Sequence, residues 1–170
     1  LISAFTTTGY SITNISILPS LFIMLIMTGM LVGGSIASTS GGMKVSRIYS
    51  LLMIVPWMLK KLSSPRHAII PLKINNQAID QDDLLIIVSF VTLFLLTLFI
   101  GTLVFLLLGY GLFDSSFQIA SALGTVGLQT MDLMAVPIIG KVVLMIAMLL
   151  GRLEIFPLLI ILRKLFKSIF

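Results

Sequence analysis

The chain is 170 residues long, 58% of them hydrophobic and only 10% charged, with a net charge of +5 and no cysteine. Soluble domains are roughly 45–50% apolar, so a mean hydropathy of +1.19 excludes an ordinary soluble protein and predicts an integral membrane one. The missing cysteines exclude a disulfide framework and thiolate metal sites, and cations that flank apolar stretches argue against a nucleic-acid footprint.

Taken in chain order, the first feature is Ser3-Ala4-Phe5-Thr6-Thr7-Thr8-Gly9-Tyr10, which returns 118 residues later as Ser121-Ala122-Leu123-Gly124-Thr125-Val126-Gly127-Leu128. Pro19 maps onto Pro137 and Gly33 onto Gly151 at the same offset, so the chain carries an internal duplication. Each copy reads as a short helix, an extended Thr-x-Gly loop and a long helix back across the membrane. Leu1 falls inside what reads as the end of the first short helix, without an initiator Met, so a fragment of a longer polypeptide is expected.

Residues 19–32 form an apolar helix that should stop at Gly33-Gly34. The run Gly33-Gly34-Ser35-Ile36-Ala37-Ser38-Thr39-Ser40-Gly41-Gly42 holds a regular helix poorly, since each interior Gly costs about 1 kcal/mol relative to Ala. An unwound segment lining a conduction path as a movable constriction is the preferred reading. The rivals are a small-residue helix contact and a phosphate-cradling loop, although Gly41-Gly42-Met43-Lys44 lacks the Walker spacing. Helix should resume after Met43 to about Leu62, with a bend at Pro56 and a stop at Ser63-Ser64-Pro65.

His67 reads as a solvated or headgroup-contacting side chain, with no second histidine to build a metal cluster and no Ser/His/Asp arrangement. Alternation of Ile70, Leu72 and Ile74, followed by Asn75-Asn76 and Gln77-Ala78-Ile79, predicts a small cytoplasmic hairpin. Asp80, Asp82 and Asp83 then oppose the positive end of the next helix.

Residues 84–108 carry no charge and exceed the roughly 20 residues needed to cross about 30 Å of hydrocarbon. Ser115-x-x-Gln118 has capping-box spacing, which predicts a short helix from Ser116 to about Leu123. A helix that short, followed by open backbone at membrane depth, is tolerated only beside protein or a wet cavity. Residues 141–162 are a second spanning candidate, interrupted by Arg152 and Glu154. A mid-span arginine must face protein or water; pairing with Glu154 or snorkelling to the headgroups is the bland alternative. By the repeat offset Arg152 stands where Gly34 stands in the first copy, so carbonyls of residues 33–42 are expected within its reach.

Lys44, Arg47, Lys60, Lys61, Arg66 and Lys73 lie between the first and second spans, and Arg163, Lys164 and Lys167 follow the last. The positive-inside rule puts both groups in the cytoplasm and the Thr-x-Gly loops outside.

Thr125-Val126-Gly127-Leu128 differs at its last position from the Thr-Val-Gly-Tyr of potassium-channel filters, where backbone carbonyls replace the ion's hydration shell. The bland reading of one such loop is a glycine turn between helices; two copies at a fixed offset favour a shared pore. Three function classes remain open on the residues alone. They are channel-like cation passage, a cation-coupled secondary transporter built on the same broken helices, and a membrane enzyme or scaffold, which the lack of an acid-base pair at membrane depth disfavours.

With these motifs in hand, the chain resembles the Trk/Ktr/HKT superfamily of potassium uptake proteins, TrkH/KtrB type. The resemblance rests on Thr6 to Tyr10, on Gly33-Gly34 through Ser38-Thr39, Gly41-Gly42 and Lys44, on Ser121 to Leu128, and on Gly151-Arg152-x-Glu154 before Pro157. It implies an all-α membrane fold of four helix-pore loop-helix repeats around a pseudo-fourfold pore. Residues 1–83 would be the incomplete third repeat and residues 84–170 the fourth. Filter oxygens would come from Thr6, Thr7, Thr8, Gly9, Gly124, Thr125, Val126 and Gly127, and the gate from Gly33, Gly34, Ser38, Thr39, Gly41, Gly42, Lys44 and Arg152. No cofactor is implied beyond K+ as the transported ion. The implied partners are the N-terminal half of the polypeptide, a second copy, membrane lipid and a cytoplasmic nucleotide-binding regulatory subunit of the TrkA/KtrA type. The implied location is a prokaryotic plasma membrane. Ala37 in place of Gly and Tyr10 in place of Phe depart from the family pattern.

Overall fold

The computed structural model describes residues 1–12, 15–35, 38, 40–64, 72–74, 77–79, 81–153 and 164. The elements are α1 (Ile2–Phe5), a single 3-10 turn (Ile15–Ile17), α2 (Ser20–Val32), α3 (Val45–Leu62), β1 (Leu72–Ile74), β2 (Gln77–Ile79), α4 (Gln81–Leu107), α5 (Leu112–Leu123) and α6 (Ile138–Leu153).

α4 carries the strongest membrane signature. Its 27 residues rise about 40 Å, and an 18-residue window between Asp82 and Leu107 has a mean hydropathy of 2.8. Among the described residues it is the one helix long and apolar enough to cross a bilayer. Its threonines do not compromise that, because Thr92, Thr97 and Thr102 each donate to the carbonyl four residues back at 2.8 Å. Hydroxyls satisfied inside the helix need no water. Asp82 and Asp83 occupy the first turn as expected; Asp80 lies outside the described residues.

The short α5 is the centre of the bundle, packed on α4, α6 and α2. One side sends Ile119, Ala122 and Leu123 into a cluster with Phe90, Phe94, Phe105, Leu144 and Ala147. The other joins Phe117 and Ala120 to Ala4, Ile26, Met30 and Val126. Meanwhile Leu85, Leu96, Phe99 and Leu107 of α4 are exposed, and Ser115, Gln118 and Ser121 of α5 are buried. Apolar outside and polar inside is the arrangement that lipid, rather than water, selects.

The predicted capping box at Ser115 is overturned. α5 begins a turn earlier, at Leu112, with extended Gly111 (φ −65°, ψ 151°) as its cap. Ser115 is already helical, its amide donating to Gly111 O at 2.9 Å, and its side chain is fully buried. Asp114 still sits in the first turn, where a carboxylate opposes the helix dipole. The polar boundary misled because Leu112 and Phe113, which water would push inward, lie exposed at the helix start.

The break after Val32, the helix through Pro56 to Leu62 and the stop at Ser63 match expectation. The hairpin pairs Leu72 with Ile79, Lys73 with Ala78 and Ile74 with Gln77, and is the departure from helix that the alternation predicts. Its Asn75-Asn76 turn lies outside the described residues, as do His67 and everything from Glu154 to Arg163. α3 is tied to α4 where the Arg47 guanidinium lies 4.0 Å over the Phe90 ring, a cation–π contact that also shelters its charge.

Candidate functional site

The duplicated loops repeat their backbone residue by residue. Each short helix ends on a right-handed residue, Thr6 (φ −82°, ψ 0°) or Gly124 (φ −71°, ψ −9°). Thr7 and Thr125 then turn left-handed, at φ 52° and 53°, and Gly9 and Gly127 do so again at 77° and 87°. The hydrogen bonds repeat too. Thr6 N donates to Ile2 O at 2.9 Å and Thr8 N to Ser3 O at 3.1 Å; Gly124 N donates to Ala120 O at 2.8 Å and Val126 N to Ser121 O at 3.0 Å. The second helices follow equivalent prolines, α2 after Pro19 and α6 after Pro137. A left-handed threonine costs about 1–3 kcal/mol and persists only where its surroundings dictate it. The same strain at the same place in both copies marks a selected backbone path.

The loops touch. A Cβ on Gly9 would overlap the Val126 carbonyl oxygen. Beside that contact lies a cavity of about 720 Å³ lined by Thr6, Thr7 and Thr8 of the first loop and Thr125, Val126 and Gly127 of the second, with Ser121, Met148, Leu149 and Arg152 completing the wall. Thr6 Oγ1 is 2.9 Å from Ile2 O, to which it donates, and 2.7 Å from Thr8 Oγ1. Apart from the arginine, the lining is neutral oxygen and apolar carbon. Among the described residues no cluster of His, Cys, Asp or Glu could hold a metal ion by side chains.

The described residues between 33 and 44 leave the end of α2 as an excursion and come back to it. Gly33 caps α2 at φ 67°, and Gly42 and Lys44 are also left-handed, at 85° and 63°. Met43 N donates to Leu31 O at 3.0 Å and Val45 N to Gly34 O at 3.2 Å, so the chain returns to where α2 ended. Within it Gly34 N donates to Ser40 Oγ at 3.0 Å, Ser38 Oγ donates to Ser35 O at 2.7 Å, and the Ser38 and Ser40 hydroxyls lie 2.5 Å apart. Gly41 meets the second loop, where a Cβ on it would lie 2.7 Å from Gly124 O. None of Gly33, Gly34, Ser38, Gly41, Gly42 or Lys44 lines the cavity; Thr39 lies outside the described residues.

The duplication ends in divergence. Gly33 stops α2, whereas its counterpart Gly151 sits inside α6, close enough to Leu123 that a Cβ would overlap the Leu123 carbonyl. That approach brings Arg152, one residue on, to the cavity beside the threonines.

Three participants escape a reading by motif alone. Ser121 is 1% exposed, and its hydroxyl has no hydrogen-bond partner in the structure; its membership in the repeated string, opposite Ser3, is the signal it leaves. Met148 and Leu149 leave none, being ordinary apolar residues of α6.

Buried polar groups, an outward apolar surface and paired strained loops on one cavity are the features of a membrane-embedded protein. The TrkH family model, described as a cation transport protein, matches residues 1–169, and the chain belongs to that family. An uncharacterized cation transporter of Methanocaldococcus jannaschii is 35% identical over 97% of this chain and 35% of its own length. The Trk system potassium uptake protein TrkH of Vibrio parahaemolyticus is 31% identical over 97% of this chain and 35% of its own length. The crystal structure of the potassium transporter TrkH from Vibrio parahaemolyticus superposes with a TM-score of 0.81 at 30% identity, covering 94% of this chain and 35% of that one. The chain thus spans about a third of the relatives it matches.

Proposed function

We propose that the chain is the part of a potassium-translocating membrane subunit that supplies two walls of a carbonyl-lined filter and the gate beneath it. The carrying observation is the matched backbone of residues 6–9 and 124–127, of which Thr6, Thr7, Thr8, Thr125, Val126 and Gly127 line one cavity. A left-handed residue at alternate positions turns successive peptide carbonyls of an L-chain toward one side, which only Gly and, at a cost, other residues permit. Neutral oxygens so arranged replace the water of a weakly hydrated monovalent cation without binding it too tightly to leave. The C-terminal end of α5, at Gly124, adds the partial negative charge of the helix dipole.

In this reading Gly33, Gly34, Ser38, Thr39, Gly41, Gly42 and Lys44 form the gate segment, and Arg152 sets the potential of the wet cavity. Residues 1–83, an incomplete third repeat, and residues 84–170, the fourth, are two of four repeats around the pore, and the rest of the polypeptide supplies the other two and the start of the third. The V. parahaemolyticus relative is named as a potassium transporter, which supports K+ as the ion. A second copy, a cytoplasmic nucleotide-binding subunit and a prokaryotic plasma membrane complete the assembly.

Rubidium uptake by the full-length protein tests this. Gly127→Asp is expected to abolish uptake or selectivity, since Gly127 holds φ 87° and the carboxylate adds a fixed charge to the path. Wild-type uptake and selectivity in that variant refute the filter.

A further inference from the structure

The contact between the glycine-rich excursion and the second loop has a chemistry of its own. A Cβ on Gly41 would lie 2.5 Å from Thr125 Oγ1, 2.7 Å from Gly124 O and 3.0 Å from Gly124 C. On the α2 side, a Cβ on Gly124 would lie 2.7 Å from Met30 O. The peptide joining Gly124 to Thr125 is therefore held between the last turn of α2 and the bare backbone of Gly41. It is also the peptide that leads into the left-handed Thr125, φ 53°, a conformation that needs external support.

We infer that Gly41 is a selectivity-determining residue outside the filter: by pressing on the Gly124–Thr125 peptide it holds Thr125 left-handed, so moving the gate segment changes ion preference as well as flow. This rests on the filter-and-gate reading above and deepens it. The contact is built for small groups on both sides, since any side chain at residue 41 or 124 displaces backbone. Gly41 lies outside the left-handed region, unlike Gly33 and Gly42. Alanine at 41 thus introduces a methyl without backbone strain, and the methyl lands on the filter peptide. Alanine at 34 behaves differently: residue 34 is also outside the left-handed region, and its Cβ would meet the Ser40 and Ser38 side chains. That substitution disturbs the segment from within, without touching Gly124 or the Met30 carbonyl that packs on it.

The test compares sodium and rubidium uptake by the full-length protein in liposomes. Gly41→Ala is expected to raise the sodium-to-rubidium ratio by about threefold or more, a modest fraction of the ~100-fold that a 1 Å misplacement can cost in an oriented site. Gly34→Ala is expected to change the rate and keep the ratio. A wild-type ratio in Gly41→Ala, or an equal shift in both variants, overturns the inference.

Should Gly41→Ala fail to assemble, linkage supplies a second measurement, because coupling between two sites is reciprocal. Ser35 is exposed on the excursion, and Ser35→Cys, in a background with any other cysteines replaced, is labelled by a thiosulfonate in K+ and in Na+. Different labelling rates support the coupling and identical rates overturn it. Retained rubidium uptake and selectivity in Gly127→Asp sink the filter reading itself. Their loss there, beside an unaltered ratio in Gly41→Ala, sinks only the coupling.

Discussion

The carbonyl of Val126 rests against the Cα of Gly9, with no room for a methyl group between the two loops. Gly127, the equivalent residue of the second copy, has nothing within 4 Å of where its Cβ would be. Both are left-handed, at 77° and 87°, so alanine at either position costs about 1–2 kcal/mol of backbone strain. Only at Gly9 does it also collide with backbone. Gly9→Ala is accordingly expected to lower the melting temperature of the detergent-solubilised full-length protein, and its rubidium uptake, more than Gly127→Ala does. Equal effects would show that the contact between the loops is slack.

The same logic separates two glycines of α6. A Cβ at Gly151 would overlap the Leu123 carbonyl, whereas one at Gly140 would meet Val136 Cγ1 at 2.5 Å, a side-chain atom that can rotate away. Gly151→Ala should cost about 1–3 kcal/mol of overpacking, read as early thermal unfolding, and Gly140→Ala clearly less. The reverse order in a melting experiment contradicts this packing of α6 on α5.

Arg152 shares its cavity with the loop threonines, so removing its charge should act on ion residence rather than ion choice. A unit charge about 10 Å away, through an effective dielectric of about 40, contributes roughly 0.8 kcal/mol, or about fourfold in occupancy. Arg152→Ala is expected to lower the apparent KM for rubidium by about that factor and alter the maximal rate, with the sodium-to-rubidium ratio intact. A shifted ratio would assign the arginine to the filter wall.

Thr92 is exposed on α4 and donates to Val88 O. Its hydroxyl is satisfied where it stands, so Thr92→Val should change stability by no more than about 0.5 kcal/mol. A large loss, seen as a lower melting temperature, would mean that the hydroxyl serves a contact beyond its own helix.

Much of this was legible in the residues because lipid simplifies the code. Uncharged length marked α4, glycine density marked the end of α2, and a 118-residue offset joined two loops whose side chains differ at several positions. The start of α5 was not legible, because capping statistics come from water, and at Leu112 exposed apolar residues carry no penalty. Nor did the offset reveal that Gly33 and Gly151 do opposite work, one ending a helix and the other admitting a neighbouring backbone. Glycine permits both, and only the neighbours decide. Arg152 was recognisable as costly in a span, but its company of threonines follows from the Gly151 approach, which no spacing encodes.

Two loops with one backbone and unlike side chains, Thr-Thr-Thr-Gly and Gly-Thr-Val-Gly, also set how such a protein can evolve. In a ring of identical subunits every replacement is multiplied around the axis, so mild changes become drastic. Tandem copies in a single polypeptide let a replacement be felt on one side alone, so in the proposed filter natural variation moves ion preference in finer steps and leaves lasting asymmetry between the loops.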